Sequence, residues 1–146
     1  VPHDPGRSLI LTKPTGMIPH KGGLRFAEDS LEYRVIAEWI AQGTPGPAAE
    51  DPRVAKLEIL PPATQLIPGV QQQLVVRAHF TDGHVEDVTR WAKYSSTNHT
   101  VATVDDLGVV SVAGSGEGAI VAWYLAQNVT ATVTSPYPHA VPAESF

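Results

Sequence analysis

Over residues 54–135 the chain is a series of short apolar runs, each closed by turn residues. Runs that brief leave little room for the three turns of an average helix, so this stretch reads as strands. The clearest run is Gln71–Phe80, where Leu74, Val76, Ala78 and Phe80 alternate with Gln73, Val75, Arg77 and His79. A period of two sends alternate side chains to opposite faces, the mark of a half-buried antiparallel strand. Thr81-Asp82-Gly83 follows, and Asp-Gly is a strong hairpin signal because both residues accept positive φ. His84–Thr89 is the expected return strand. Val54–Leu60 is a strand closed by Pro61-Pro62. Tyr94–Ser96, Val101–Asp105 and Val109–Ala113 are further short strands, with turns at Asp106-Leu107-Gly108 and Gly114-Ser115-Gly116. Ala119–Ala126 and Val129–Thr134 are expected to form a last hairpin around Gln127-Asn128. Strands at this spacing predict a Greek-key β-sandwich, and about 80 residues can enclose one small core.

The N-terminal third reads differently. Residues 30–42, SLEYRVIAEWIAQ, predict a helix: Tyr33, Ile36, Ala37 and Ile40 recur at helical spacing, and Trp39 widens the stripe. Asp29 or Ser30 can cap it, with Asp29 and Glu32 at capping-box spacing. Gly43 suits the position after the helix, and Pro45 forbids continuation. Residues 8–12 are read as a helix end or short strand, and 13–25 as loop. One helix and a loop cannot bury this stripe, so the segment is expected to need a partner surface. The joint Thr44–Pro52 is rich in proline, which fixes φ and removes a donor, and reads as a semi-rigid linker. The expected organisation is thus residues 1–48, a linker at 49–53, a sandwich over 54–135 and an extended tail over 136–146.

Composition narrows the chemistry. The 146 residues include no cysteine, which excludes disulfides, thiolate zinc sites and covalent haem attachment within this chain. A net charge of −5 argues against a nucleic-acid partner. No apolar run approaches the ~20 residues of a membrane span. The chain begins at Val1 and carries no signal-peptide pattern, and it reads as a piece of a longer protein.

Two stretches resemble known families. LVVRAHFTDGHVEDVT (74–89), YSSTNHTVATVDDLGVVSV (94–112) and GEGAIVAWY (116–124) resemble the bacterial Ig-like domain of group 2. Tyr94 stands where that family usually has Trp, Ala102 and Val104 fit its A-x-V pair, and Gly118 is the small residue before Ile120. The resemblance implies a mainly β fold, an Ig-like Greek-key β-sandwich. Residues 8–48 resemble the C-terminal end of the cytochrome c-like domains of large secreted planctomycete proteins. Ser8-Leu9, the loop Thr15–Gly23 and the helix end Glu38–Gly43 carry it. That resemblance implies a protein that is periplasmic, secreted or on the cell surface. It also implies haem c in the full-length protein only, with the attaching C-x-x-C-H upstream of this chain, and partners in the upstream haem-domain part and in other domains or subunits.

Met17 and His20 are the cofactor-binding candidates under this resemblance. A haem iron takes a thioether or an imidazole from a loop held at fixed distance. Met17 is the only methionine and lies two residues before Pro19, while His20 lies beside Gly22-Gly23. The plainer reading makes both ordinary loop residues. Other clusters are weaker. His79, His84 and His99 read as solvated surface histidines, since zinc needs three or four convergent ligands. Asp82, Asp87, Asp105 and Asp106 match no calcium loop. Trp91 and Trp123 suit a glycan platform if exposed, or else a contact with a neighbouring domain. The sequons at Asn98 and Asn128 read as turn residues. No catalytic constellation emerges: the serines lack a nucleophile elbow, and GSGEG (114–118) leads into a strand, not a helix. The expectation is a non-catalytic spacer or interaction module of an extracytoplasmic haem protein. The alternatives are an electron-transfer fragment supplying Met17 or His20, and a carbohydrate-binding or adhesion module.

Overall fold

The computed structural model describes residues 4–138. Of the expected extended tail, residues 139–146 lie outside that range. The chain divides between Asp51 and Pro52 into two compact units.

The first unit holds a 3-10 turn at Pro5–Arg7, α1 at Leu9–Thr12 and α2 at Leu31–Ala41. The cap of α2 is Ser30, whose Oγ accepts from Tyr33 N–H at 3.2 Å. Of the two expected caps, Asp29 and Ser30, it is Ser30 that forms. At the other end Gly43, with φ 87°, lets the chain turn back. Gly43 N–H donates to Ile40 O and Thr44 N–H to Trp39 O, each at 3.0 Å, which is the Schellman pattern. The indole of Trp39 donates to Pro45 O at 3.0 Å and draws the joint back over the helix end. Between the helices the loop is pinned by Ile18 N–H to Thr12 O (3.1 Å) and Arg25 N–H to Pro14 O (2.8 Å). Local structure is thus well specified, yet Leu11 and Ile40 are the only buried apolar residues described in this unit. Leu9, Ile10, Met17, Ile18, Leu24, Val35 and Trp39 are exposed.

The second unit is all strand. Its elements are β1 Val54–Leu60, β2 Ala63–Gln65, β3 Gln71–Gln73, β4 Val75–Phe80, β5 Val85–Asp87, β6 Lys93–Ser96, β7 Ala102–Val104, β8 Val109–Val112, β9 Gly116–Tyr124 and β10 Gln127–Ser135. One layer contains β2-β10-β9-β6. The other joins β1-β4-β5 to β3-β8-β7, because β3 and β4 form one run broken only at Leu74. The break has a use. Leu74 N–H donates to Gly108 O at 2.9 Å, so the run faces β8 before Leu74 and pairs with β1 and β5 after it. Placing β8 beside β3, not β9, is the non-sequential adjacency of a Greek key.

Alternation does the sorting. Along β10, Ala131, Val133 and Ser135 are buried while Asn128 and Thr130 face out. Leu57, Ile59, Leu74, Val76, Ala78, Val110 and Val112 meet Ile120, Ala122, Ala131 and Val133 in one cluster. Each buried aliphatic side chain contributes about 1.5–3 kcal/mol, so this cluster dominates the unit's stability. Two expectations change. The last hairpin turns at Leu125-Ala126, with Tyr124 opposite Gln127, and not at Gln127-Asn128. Leu125 takes the positive φ, 53°, that the two-residue turn demands. Strand β2 is additional, and it pairs parallel with β10.

Candidate functional site

On the loop of the first unit, Met17 is 55% exposed. His20 is half-buried. A Cβ at Gly22 would lie 2.5 Å from His20 Nε2, so the imidazole lies close over the Gly22 backbone. Met17 is thus exposed, whereas the Nε2 edge of His20 faces its own loop.

The three candidate histidines do not gather. His79 Nε2 pairs with Glu58 Oε2 at 3.2 Å across β1 and β4, and His99 sits exposed in the turn before β7. His84 belongs to a different arrangement. Its Nδ1 meets Asp82 Oδ1 at 2.5 Å and its Nε2 meets Glu86 Oε1 at 3.1 Å. Its ring stacks on Phe80, with centroids 4.2 Å apart and planes 9° from parallel. The hydrogen bond to Asp82, with that to Glu86, lifts the His84 pKa above its ordinary value despite some desolvation. Asp82 is held below the ordinary carboxylate range, first by the His84 backbone N–H and then by the ring. The two ring nitrogens point apart, so the carboxylates do not converge on one ion. Asp82, His84 and Glu86 lie at i, i+2 and i+4, the same-face spacing of an extended chain. That spacing was the signal in the sequence that could have revealed the cluster.

Two of the remaining acidic candidates, Asp87 and Asp105, are taken up by their own turns. Asp105 Oδ1 accepts from Leu107 N–H (2.9 Å) and Val109 N–H (2.8 Å). Asp87 Oδ1 accepts from Thr89 Oγ1 (2.6 Å) and Thr89 N–H (2.9 Å), which lowers its pKa. Thr89 Oγ1 in turn accepts from Val76 N–H at 2.9 Å. Tyr94 donates to Thr89 O at 2.8 Å, and burial pushes its pKa up to about 12. Asn98 holds its turn by donating to Glu117 O (3.0 Å) and accepting from Thr100 Oγ1 (2.7 Å). Among the described residues no group of three or more His, Asp or Glu side chains is placed to hold a metal, and no pocket opens. No helix among them is long and apolar enough to cross a membrane. Trp123 projects from the outer face of the β9 sheet, opposite Lys93 and Asn128, and is 40% exposed. Trp91 is also exposed, in the turn before β6.

A two-layer strand sandwich whose polar side chains stabilise its own turns defines an Ig-like module. The chain belongs to the bacterial Ig-like domain (group 2) family, whose model matches residues 53–135. The match leaves residues 1–52 outside it, so the cytochrome c-like resemblance of residues 8–48 gains no support there. Among solved structures, the fold is similar to domains 4 and 5 of the S-layer protein SbsC, with TM-score 0.52 and 14% identity, covering 60% of this chain and 54% of that one. It is also similar to domains 5–6 of SbsC, with TM-score 0.51 and 16% identity, covering 62% of this chain and 48% of that one. The chain thus spans about half the length of these two-domain fragments. Comparison with curated proteins finds no match.

Proposed function

We propose that this chain serves as a non-catalytic spacer and interaction module of a larger extracellular or cell-surface protein. The observation that carries this reading is the allocation of polar groups. Asp87, Thr89, Asn98 and Asp105 are bound to their own turns, leaving a closed sandwich without a pocket among the described residues. The likeness to S-layer domains supports a place at the cell surface. Replacing residues 53–135 of the full-length protein by an unrelated Ig-like sandwich should leave export and surface display intact. Loss of a chemical turnover on that replacement would overturn the reading.

A second element of the proposal concerns the first unit, as the closing part of a larger folded body. Seven exposed large apolar side chains around two buried ones support it, since so small a core rarely holds a chain folded. If that body is a haem domain, Met17 would be the iron donor of the two candidates, because Met17 is exposed while His20 would have to turn its ring away from Gly22. Bound haem would supply one-electron chemistry, and Met17 on this loop would help to hold it. The visible spectrum of the full-length protein should then change in Met17→Ala and not in His20→Ala. A spectrum unchanged in both, or without haem bands, removes the ligand assignment.

A further inference from the structure

The β4–β5 hairpin carries two arrangements side by side. One is the His84 cluster at its tip. The other is its hold on the chain that leads into the sandwich. Thr81 N–H donates to Arg53 O at 2.9 Å, and Arg53 N–H donates to Thr81 Oγ1 at 3.1 Å. Arg53 directly follows the proline-rich joint, and the first register shift of β1 lies just beyond, between Val54 and Lys56. The hairpin tip is therefore the clamp that fixes where the joint ends and the sandwich begins.

We propose that this clamp is proton-controlled: cationic His84 ties Asp82 to Glu86 and holds the tip closed on Arg53, and neutral His84 releases it. Both ring nitrogens face carboxylate oxygens, at 2.5 and 3.1 Å. A carboxylate only accepts hydrogen bonds, so both nitrogens must donate, and only the imidazolium carries two N–H groups. Loss of one proton leaves a bare nitrogen lone pair against a carboxylate oxygen. The groups that face the ring act in one direction. Asp82 and Glu86 are both negative, and Phe80 from β4 covers one ring face without charge. From the other layer, Tyr124 on β9 lies within electrostatic reach of Glu86, remains neutral at ordinary pH, and is itself raised by burial first and by Glu86 second. The loop also depends on its closing bonds, Gly83 N–H to Phe80 O (3.0 Å) and Phe80 N–H to His84 O (2.9 Å). These bonds tie the His84 backbone to Phe80, the residue before Thr81.

The sign follows from the raised His84 pKa. The clasp is fully present below the unfolded value near 6.5 and is lost as pH rises through the folded value. At the acid end it fails when Asp82 is protonated, below its lowered pKa. The clamp therefore holds from moderately acid to near-neutral conditions and loosens above them.

The test uses the whole chain. NMR titration of the His84 ring should give a pKa above that of free histidine, falling in Asp82→Asn and in Glu86→Gln. Hydrogen exchange of the Arg53 and Thr81 amides, corrected for intrinsic base catalysis, should accelerate through the same pH range. The loss of protection should approach ten raised to the measured pKa displacement. In His84→Gln the step should vanish while the β9–β10 amides keep their protection. A His84 pKa at or below that of free histidine overturns the proposal. So does an exchange step that survives in His84→Gln.

Discussion

The two units carry equally clear local signals and very different cores. The α2 helix has a side-chain cap, a Schellman end and an indole bond to its exit, yet its unit buries only Leu11 and Ile40 among the described apolar residues. The sandwich has several imperfect strands, among them a break at Leu74 and a shifted register at Val54, but gathers fifteen buried residues in one cluster. Caps and turns select which local conformation forms. Burial of apolar area decides whether it persists, because each residue fixed costs about 1–2 kcal/mol of backbone entropy.

The sharpest way to break this contrast is to truncate one residue in each core. Leu74→Ala should lower the stability of the sandwich by about 2–5 kcal/mol in a denaturant titration, since Leu74 is fully buried. Leu11→Ala, although equally buried, should leave that transition in place. A common shift in both variants would mean one cooperative body where we describe two. Next in size is Thr89→Val. Its hydroxyl satisfies the buried Val76 N–H and holds Asp87, so its loss should cost about 1–3 kcal/mol. It should also return the Asp87 pKa toward its ordinary value, read by carboxyl NMR. That low pKa contributes stability above the unfolded value, lost as pH falls through the folded one, so the variant should lose less stability on acidification than the parent.

Smaller effects refine the comparison. Ser30→Ala removes the α2 cap and should cost about 1 kcal/mol of helix stability. It should appear as lost helical circular dichroism with no shift of the sandwich transition. The smallest expected effect has the opposite sign. Ser135 Oγ is buried without a hydrogen-bond partner. Ser135→Ala should therefore be neutral or stabilise the sandwich by up to ~1 kcal/mol in the same titration.

What the sequence reveals follows the same division. The strand Gln71–Phe80 is legible because its alternation is a local property of the chain. The switch at Leu74 is not, since it depends on which strands arrive on either side. The α2 stop is legible because Gly43 and Pro45 act within one turn. The last hairpin is misplaced by the turn preference of Asn128: register against β9 puts the turn at Leu125, against that residue's own preference. Strand β2 is hidden because Ala63-Thr64-Gln65 carries no alternation and forms only beside β10. The outward face of Trp123 is readable from period two, whereas the His84 cluster needs Asp82, His84 and Glu86 considered together. For Met17 and His20, the sequence identifies the loop. The contact of His20 with Gly22 comes only from the fold.

The parallel pairing of β2 with β10 has a mechanical consequence. The chain enters the sandwich through β1 and β2 and leaves it after β10, and Ala63–Gln65 runs alongside Thr132–Thr134 in the same direction. Tension applied to the two ends pulls these strands lengthwise past each other. The bonds between them are then loaded together in shear, not opened one at a time like a zipper. Leu66 N–H to Thr134 O and Thr132 N–H to Pro62 O, at 2.9 and 3.0 Å, lie at either end of this patch and share the load. A module linked in series with other domains would meet stretching force at this three-residue seam, where Val133 anchors the loaded strand in the hydrophobic core.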